Sequence, residues 1–446
     1  MNKLHSVSLN KDLCVGCTNC IKGCPTQAIR VRDGKAAIYD IRCIDCSECI
    51  RICPYHAKIP VTDSLQEKLA GASGKIKVAI VSPALFTQFE NHTTRLEVLK
   101  AVKLLGFDYV YDESIGYSGY LSATKQMIHE KIELCKSLSE DEQKDIFPLI
   151  SSSCPVVVRL IQMKYRTLIS HLISIDSPME MTARYAIDEL TELLQIKENL
   201  LSLCYITPCP ARKTSVVNPL WKKKSLFSFC VGIHDVYPKL RGLLEKGNLA
   251  DSINDADKRV LRISDNKGLL CTSVGGESVA IDIDNFLTVD GISNVTAILD
   301  EIENDHLSNI EYVEPSCCFS GCVGGPLTVM NRFAAQAMLR ELIHETIMER
   351  GLYPDLIVHE ESVYPQSWEL PLAENHAMRL SDNIGIAMSK YEQIDSILAT
   401  LPQIDCGACG APSCAAMAED IVQGRASIEN CMIMHQMAHN DKASKE

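Results

Sequence analysis

Residues 314–326 read EPSCCFSGCVGGP and set Cys317, Cys318 and Cys322 within six positions. The spacing is unlike a zinc knuckle and too tight for an ordinary ferredoxin loop. Just upstream, IEYVE (310–314) reads as a buried strand, so these thiols leave the carboxyl end of a strand. Two other strand-like runs also end at a cysteine. FPLISSS leads to Cys154-Pro155, and LSLCYITP leads to Cys209-Pro210. Ligands of open α/β sheets gather beyond the carboxyl ends of strands. Three segments far apart in sequence are therefore expected to converge on one buried site. Cys318 and Cys322 would supply two ligands of a cluster there, and Cys154 and Cys209 the other two.

The segments around these runs support an α/β architecture. KIKVAIVSPAL (75–85), DYVYD (108–112) and PDLIVHEE (354–361) read as further strands, and 93–105 as a helix. FAAQAMLRELIHETIMERG (333–351) has Phe333, Met338, Leu339, Leu342 and Ile347 on one apolar face, with Gly351 as a stop signal. Strands alternating with helices imply an α/β domain.

The N-terminus carries a different signal. CVGCTNCIKGCP places Cys14, Cys17, Cys20 and Cys24 in a C-x2-C-x2-C-x3-C-P run, and CIDCSECIRICP repeats it with Cys43, Cys46, Cys49 and Cys53. This is the two-cluster bacterial ferredoxin pattern, in which the fourth cysteine of each run serves the other cluster. Cys14, Cys17, Cys20 and Cys53 are assigned to one [4Fe-4S] cluster, and Cys43, Cys46, Cys49 and Cys24 to the second. Two zinc sites would instead favour paired C-x2-C knuckles.

Composition agrees with a redox protein. The chain has 446 residues, enough for two or three domains, and 21 cysteines. No apolar run spans a bilayer, and MNKLHSVSLNKDLC has no apolar leader segment, so a cytoplasmic location is expected. Cytosolic thiols stay reduced, which leaves metal ligation as the use for so many cysteines. A net charge of -13 argues against nucleic acid as partner. Residues 1–60 carry nine Lys/Arg against five Asp/Glu, so this module could steer toward an acidic redox partner; an ordinary solvated surface is the plainer reading. Neither a GxGxxG nor a P-loop is present, so no nicotinamide or ATP site is implied.

At this point SSSCP, TPCPARK and CFSGCVGG resemble the active-site signatures of [FeFe] hydrogenases: T-S-C-C-P, M-P-C-x-x-K and C-x-x-x-C-x-x-G-G. GFDYVYD (106–112) and SPMEM (177–181) are similar to further landmarks, in the same order. The resemblance implies an H-cluster: a [4Fe-4S] cubane joined through one cysteine to a two-iron unit that carries CO, CN⁻ and a bridging azadithiolate. Carried over, Cys154, Cys209 and Cys318 bind the cubane, and Cys322 bridges to the two-iron unit. H2 and protons would be the substrates, and assembly proteins would install the two-iron unit.

The sequence departs from that family at the proton path. Ser153 stands where catalytic members have a proton-relaying cysteine, and a hydroxyl is a far weaker acid than a thiol. The two outlet glutamates fall on Thr124 and Met127, and a third carboxylate on Ser215. Ser177 keeps its relay residue type. Arg212 replaces the lysine that binds a cyanide, and the adjacent Lys213 is an alternative cation. Proton relays contribute factors of ~10²–10⁴, so these losses imply slow turnover and resemble proposed H2 sensors of the family. A replacement proton route is a second reading. A third is an electron-transfer protein that lacks the two-iron unit.

Near the C-terminus, Cys406, Cys409, Cys414 and Cys431 suit a small helical domain around one [4Fe-4S] cluster, with 415–429 helical. A structural zinc is the alternative. The expected domains are a small α+β two-cluster ferredoxin domain (1–60), a two-lobed α/β H-cluster domain (72–375), and the C-terminal Fe–S domain (390–440), placed as an electron exit at the far end of the chain. DKASKE reads as a disordered tail, so output would pass to a separate redox or signalling protein. Cys135, Cys204, Cys230, Cys271 and Cys317 are left without a ligand role, and Cys204 reads as core packing. His56 and Lys222-Lys223-Lys224 read as surface.

Overall fold

The computed structural model describes residues 4–89, 93–139, 146–246, 249, 255–264, 267–352, 356–359 and 362–436. The tail DKASKE lies outside them. The chain forms two compact units: Met1–Pro60 together with Glu374–Glu446, and Val61–Ala373.

In the first unit, strand β1 (Val7–Leu9) pairs antiparallel with β4 (Lys58–Pro60), and β2 (Ile29–Arg32) forms a hairpin with β3 (Lys35–Ile38). Each cysteine run encloses one short helix, Asn19–Lys22 or Glu48–Arg51. Thr18 and Ser47 enter these helices at φ 66° and 61°, so the sequence repeat is also a backbone repeat.

The C-terminal module, expected as a separate domain at the far end of the chain, is part of this same unit. The Val31 amide on β2 donates to the Gly410 carbonyl at 2.8 Å, and Arg32 donates to the Cys409 carbonyl at 2.7 Å. A side chain at Gly410 would meet the Val31 carbonyl oxygen at 1.9 Å, so only glycine permits this approach. Helix Ile384–Thr400 precedes the cysteines, and helix Cys414–Val422 follows Ser413, whose hydroxyl accepts the Ala416 amide. The expected helix over 415–429 is shorter because the Asp420 carbonyl accepts the amides of Arg425 and Ala426, which turns the chain.

Among the described residues, the second unit holds eight parallel strands in two sheets. They are β5 (Ile76–Val81), β6 (Tyr109–Asp112), β7 (Leu149–Ile150), β8 (Leu201–Thr207), β9 (Phe229–Gly232), β10 (Leu261–Arg262), β11 (Phe286–Asp290) and β12 (Tyr312–Ser316). Five form one sheet in the order β10-β6-β5-β8-β9, and three form another in the order β11-β12-β7. The larger sheet is apolar on both faces. Val78, Ile80, Leu203 and Tyr205 pack with helices Ser114–Cys135 and Pro178–Leu194. Ala79, Val81, Cys204 and Ile206 enter the core of the opposite face. Continuous apolar runs such as VAIV and LCYI are what burial on both faces requires. Cys204 is core, as expected.

Three local expectations change. Within 354–361 only 356–359 are described, and Ile357 makes a single bridge to Ile263 rather than a strand. In helix Arg332–Leu352, Met338, Leu339 and Leu342 are buried, but Phe333 is 65% exposed beneath the Arg332 guanidinium. The side chain of Ile347 is outside the described set, and the helix runs past Gly351. Lys222, expected on a solvated face, is buried and bonded to Asp176 at 2.6 Å and Glu180 at 3.1 Å.

Candidate functional site

Cys154 and Cys209 each stand where a strand turns into a helix. Cys154 follows β7 and caps helix Pro155–Lys164; Cys209 follows β8 and caps helix Pro210–Val217. Proline at the first helical position has no amide to lose and a backbone angle already suited to the helix. The first-turn amides are then free to face sulfur. Those of Val156 and Val157 face Cys154, and that of Arg212 faces Cys209. The buried Cys317 contributes its amide to Cys154 as well.

Cys318 and Cys322 follow β12, the neighbour of β7. Cys154, Cys318 and Cys322 thus leave one sheet and Cys209 the other. The GG after Cys322 closes the gap: a side chain at Gly325 would meet the Pro208 carbonyl oxygen at 2.5 Å. The thiols lie close together: Cys318 helps to raise the pKa of Cys154, Cys209 and Cys322. Burial pushes Cys154 and Cys322 upward and Cys209 to about 12, and the Arg212 charge opposes it at Cys209 and Cys322. Such thiols are protonated until a metal centre displaces their protons.

Arg212 is the cation at this site. It is buried, bonded to Glu113 at 2.6 Å, and lies over the Tyr205 ring. Tyr205 donates to the other Glu113 oxygen at 2.6 Å. Lys213, the alternative, turns away to pair with Asp63.

The first ferredoxin set, Cys14, Cys17, Cys20 and Cys53, lines one cavity. The Cys46 and Cys49 thiols sense Cys24, as the crossed assignment requires, and Cys43 senses Cys46 and Cys49. In the C-terminal module Cys409 senses Cys406 and Cys431, and Cys414 joins the same apolar cluster. Among the described residues, the only group of three potential ligand atoms within 4.8 Å of one another is His5, Cys43 and Asp45. A tetrahedral zinc with bonds of about 2.3 Å would draw its sulfurs to about 3.8 Å. Among the described residues no three cysteines of one set lie within 4.8 Å of one another, a wider spacing than a single bound zinc would draw them to.

The proton-relay positions are less alike. Ser153 is bonded to Ser151 at 3.1 Å, and Ser151 donates to Glu277 at 2.6 Å. Tyr120 lies 3.1 Å from Ser151, and Tyr312 donates to Glu277 at 3.0 Å. Burial raises the Glu277 pKa against these bonds. Nearby Glu314 is pushed up to about 8, by burial first and the Glu277 charge second, although it accepts from the Gly275 and Ser278 amides. Thr124 is buried, and among the described residues its hydroxyl has no partner. Met127 packs against the core, Ser177 precedes helix Pro178–Leu194, and Ser215 bonds back to the Ala211 carbonyl. Glu277 lies in no cysteine motif and carried no sequence signal, and Glu314, the first residue of the 314–326 stretch, reads there only as the end of a strand.

Three family models match. "Iron only hydrogenase large subunit, C-terminal domain" covers residues 75–228, "4Fe-4S dicluster domain" covers 6–54, and an Fe–S cluster model covers 401–433. The periplasmic [Fe] hydrogenase large subunit of Nitratidesulfovibrio vulgaris is 28% identical over 294 residues, which are 62% of this chain and 65% of that one. The chain therefore spans about two-thirds of the length of that relative. Among solved structures, a glutamate-to-glutamine variant of [FeFe]-hydrogenase HydA1 from Chlamydomonas reinhardtii is 16% identical, with a TM-score of 0.49, over 69% of this chain and 99% of that one. The apo form of a cysteine-to-histidine variant of the same enzyme gives the same values. No helix among the described residues is long and apolar enough to cross a membrane. Dicluster, hydrogenase and Fe–S segments are matched in this order along the chain, and these matches support the [FeFe] hydrogenase family.

Proposed function

We propose that this protein binds H2 and slowly interconverts it with protons and electrons, acting as an H2 sensor or regulator that passes electrons through [4Fe-4S] clusters to a protein partner. Cys154, Cys209 and Cys318 would hold the cubane of an H-cluster, and Cys322 would link it to the two-iron unit. The observation that carries this reading is the convergence of these four half-buried thiols beside Arg212. The bound group supplies an open iron site that polarises H2 and an amine that takes a proton.

This chain's residues would do the rest. Arg212, fixed by Glu113, would offer a permanent cation to the bound group. Ser153 would exchange protons with Glu277 through Ser151, whose hydroxyl is within hydrogen-bond reach of both, and burial raises the Glu277 pKa. This series of contacts supports the replacement-route reading, while the weakly acidic Ser153 hydroxyl keeps that route slow. The three accessory clusters belong to Cys14, Cys17, Cys20 and Cys53; to Cys43, Cys46, Cys49 and Cys24; and to Cys406, Cys409, Cys414 and Cys431. Because the last set shares a compact unit with the ferredoxin sets, electrons would leave or enter from one unit carrying three clusters.

Infrared spectra of anaerobically matured protein, under argon and then H2, test the proposal. CO and CN⁻ stretches that shift under H2 are expected, together with viologen turnover below that of a catalytic hydrogenase matured in parallel. The absence of such bands, with the control matured, would leave an Fe–S electron carrier without hydrogenase activity.

A further inference from the structure

Among the described residues of the first unit, Arg30, Arg42 and Lys58 are the buried cations. Arg30 is paired with Asp420, and Arg42 with Glu419. Lys58 is different. Its residue is 2% exposed, and its ammonium is buried with no hydrogen-bond partner. An isolated ammonium in a dry interior costs several kcal/mol or more unless an anion compensates it. Among the described residues no carboxylate pairs with this ammonium.

Position supplies the anion. Lys58 starts β4 and lines the cavity shared by Cys14, Cys17, Cys20 and Cys53. Its charge also reaches Cys49, a cysteine of the second set. Cys49 in turn senses Cys20 of the first set, so Lys58 stands where the two sets meet. A [4Fe-4S] centre held by four thiolates carries a net charge of 2- when oxidised and 3- when reduced. A fixed cation in a low-dielectric interior stabilises the more negative state more strongly.

We propose that Lys58 is a shared counter-cation of the two ferredoxin clusters and raises the reduction potential of at least one of them. The role is positioning, and it rests on the cluster assignment made above. It also explains a buried charge that is costly in the empty protein. Lys58 would favour an electron resting in the ferredoxin module rather than passing straight through it, a property suited to a chain that reports on H2.

The test uses the full chain with its [4Fe-4S] clusters reconstituted and needs no two-iron unit. Iron content is measured, and an EPR-monitored redox titration at fixed pH follows the spin-coupled signal of the ferredoxin clusters in wild type, Lys58→Met and Lys58→Arg. The expected result is wild-type iron in Lys58→Met with at least a tenfold fall in the reduction equilibrium of one cluster, which is 59 mV for a one-electron couple. Lys58→Arg should stay close to wild type. Wild-type iron with both midpoints unmoved in Lys58→Met would overturn the proposal. Loss of iron from Lys58→Met but not from Lys58→Arg would support it, because Arg keeps the positive charge that Met lacks. Loss from both would assign the effect to side-chain shape and overturn it. A wild-type chain that holds no clusters at the eight N-terminal cysteines would overturn both this role and the cluster assignment.

Discussion

Arg30 and Asp420, 390 residues apart in the chain, pair at 2.6 Å with neither side chain reaching solvent. Arg32 and Arg425 reach the same carboxylate, at 2.9 Å and 3.3 Å. Asp420 thus gathers three guanidinium groups and joins the C-terminal helix to β2. Removing it would strand Arg30 as an unpaired buried charge, a change that costs about 3–5 kcal/mol. Asp420→Ala is expected to loosen the C-terminal module first. Limited proteolysis should release a C-terminal fragment from the variant under conditions where wild type stays intact, and denaturant unfolding should show an early transition.

The proton series makes a paired prediction. Glu277→Gln keeps the shape of the side chain but removes its capacity to take a proton from Ser151. Turnover with viologen should fall by about 10²-fold, with the infrared bands of the matured protein unchanged. Ser153→Cys places a better acid at the first position and should raise turnover by at least about tenfold. Unchanged rates in both variants would show that protons travel elsewhere.

What could be read from the chain beforehand follows from how its constraints are written. Cluster ligands are local: C-x2-C-x2-C-x3-C fixes three thiols on one loop, so both N-terminal sets were visible as spacing. Cys154-Pro155 and Cys209-Pro210 were visible because strand, cysteine and helix-starting proline are adjacent in sequence. The Ser153-Ser151-Glu277 series was not, because Glu277 lies in the short helix Gly276–Ile281, 126 residues beyond Ser151. A glutamate there has the same sequence signature as a solvated one. Lys222 was misread for the same reason, its partners Asp176 and Glu180 lying more than forty residues upstream. The union of the terminal modules was also illegible, since Arg30 and Arg32 look like exposed residues of a hairpin until Asp420 arrives from the other end.

Glu314 makes stability depend on pH in a defined direction. Its folded-state pKa is about 8 against an ordinary 4.5. Between those values the folded chain holds a proton that the unfolded chain has released, so its stabilising contribution, full below about 4.5, is lost as pH rises to about 8 and changes little above that. The amplitude is on the order of a few kcal/mol at most. Glu314→Gln cannot titrate. The stability of wild type minus that of the variant, measured by denaturant unfolding of the iron-free chain, should fall from pH 5 to pH 8 and then level off. A flat difference would mean that Glu314 is ionised throughout.

Arg212 offers the sharpest separation of structural from chemical roles. It is held by Glu113, which also accepts from Tyr205, so all three groups are buried and mutually satisfied. Arg212→Met leaves the Glu113 carboxylate without its counter-charge and should cost about 3–5 kcal/mol of stability. Adding Glu113→Gln neutralises that carboxylate while keeping an acceptor for Tyr205, and should restore much of the loss. The double variant also lacks the cation whose charge reaches Cys209 and Cys322. If that cation serves only to hold the fold, the stabilised double variant will mature with wild-type infrared bands. If it faces the cyanide ligands, the CN⁻ stretches will shift or vanish although stability has returned, and the second outcome is the one expected here.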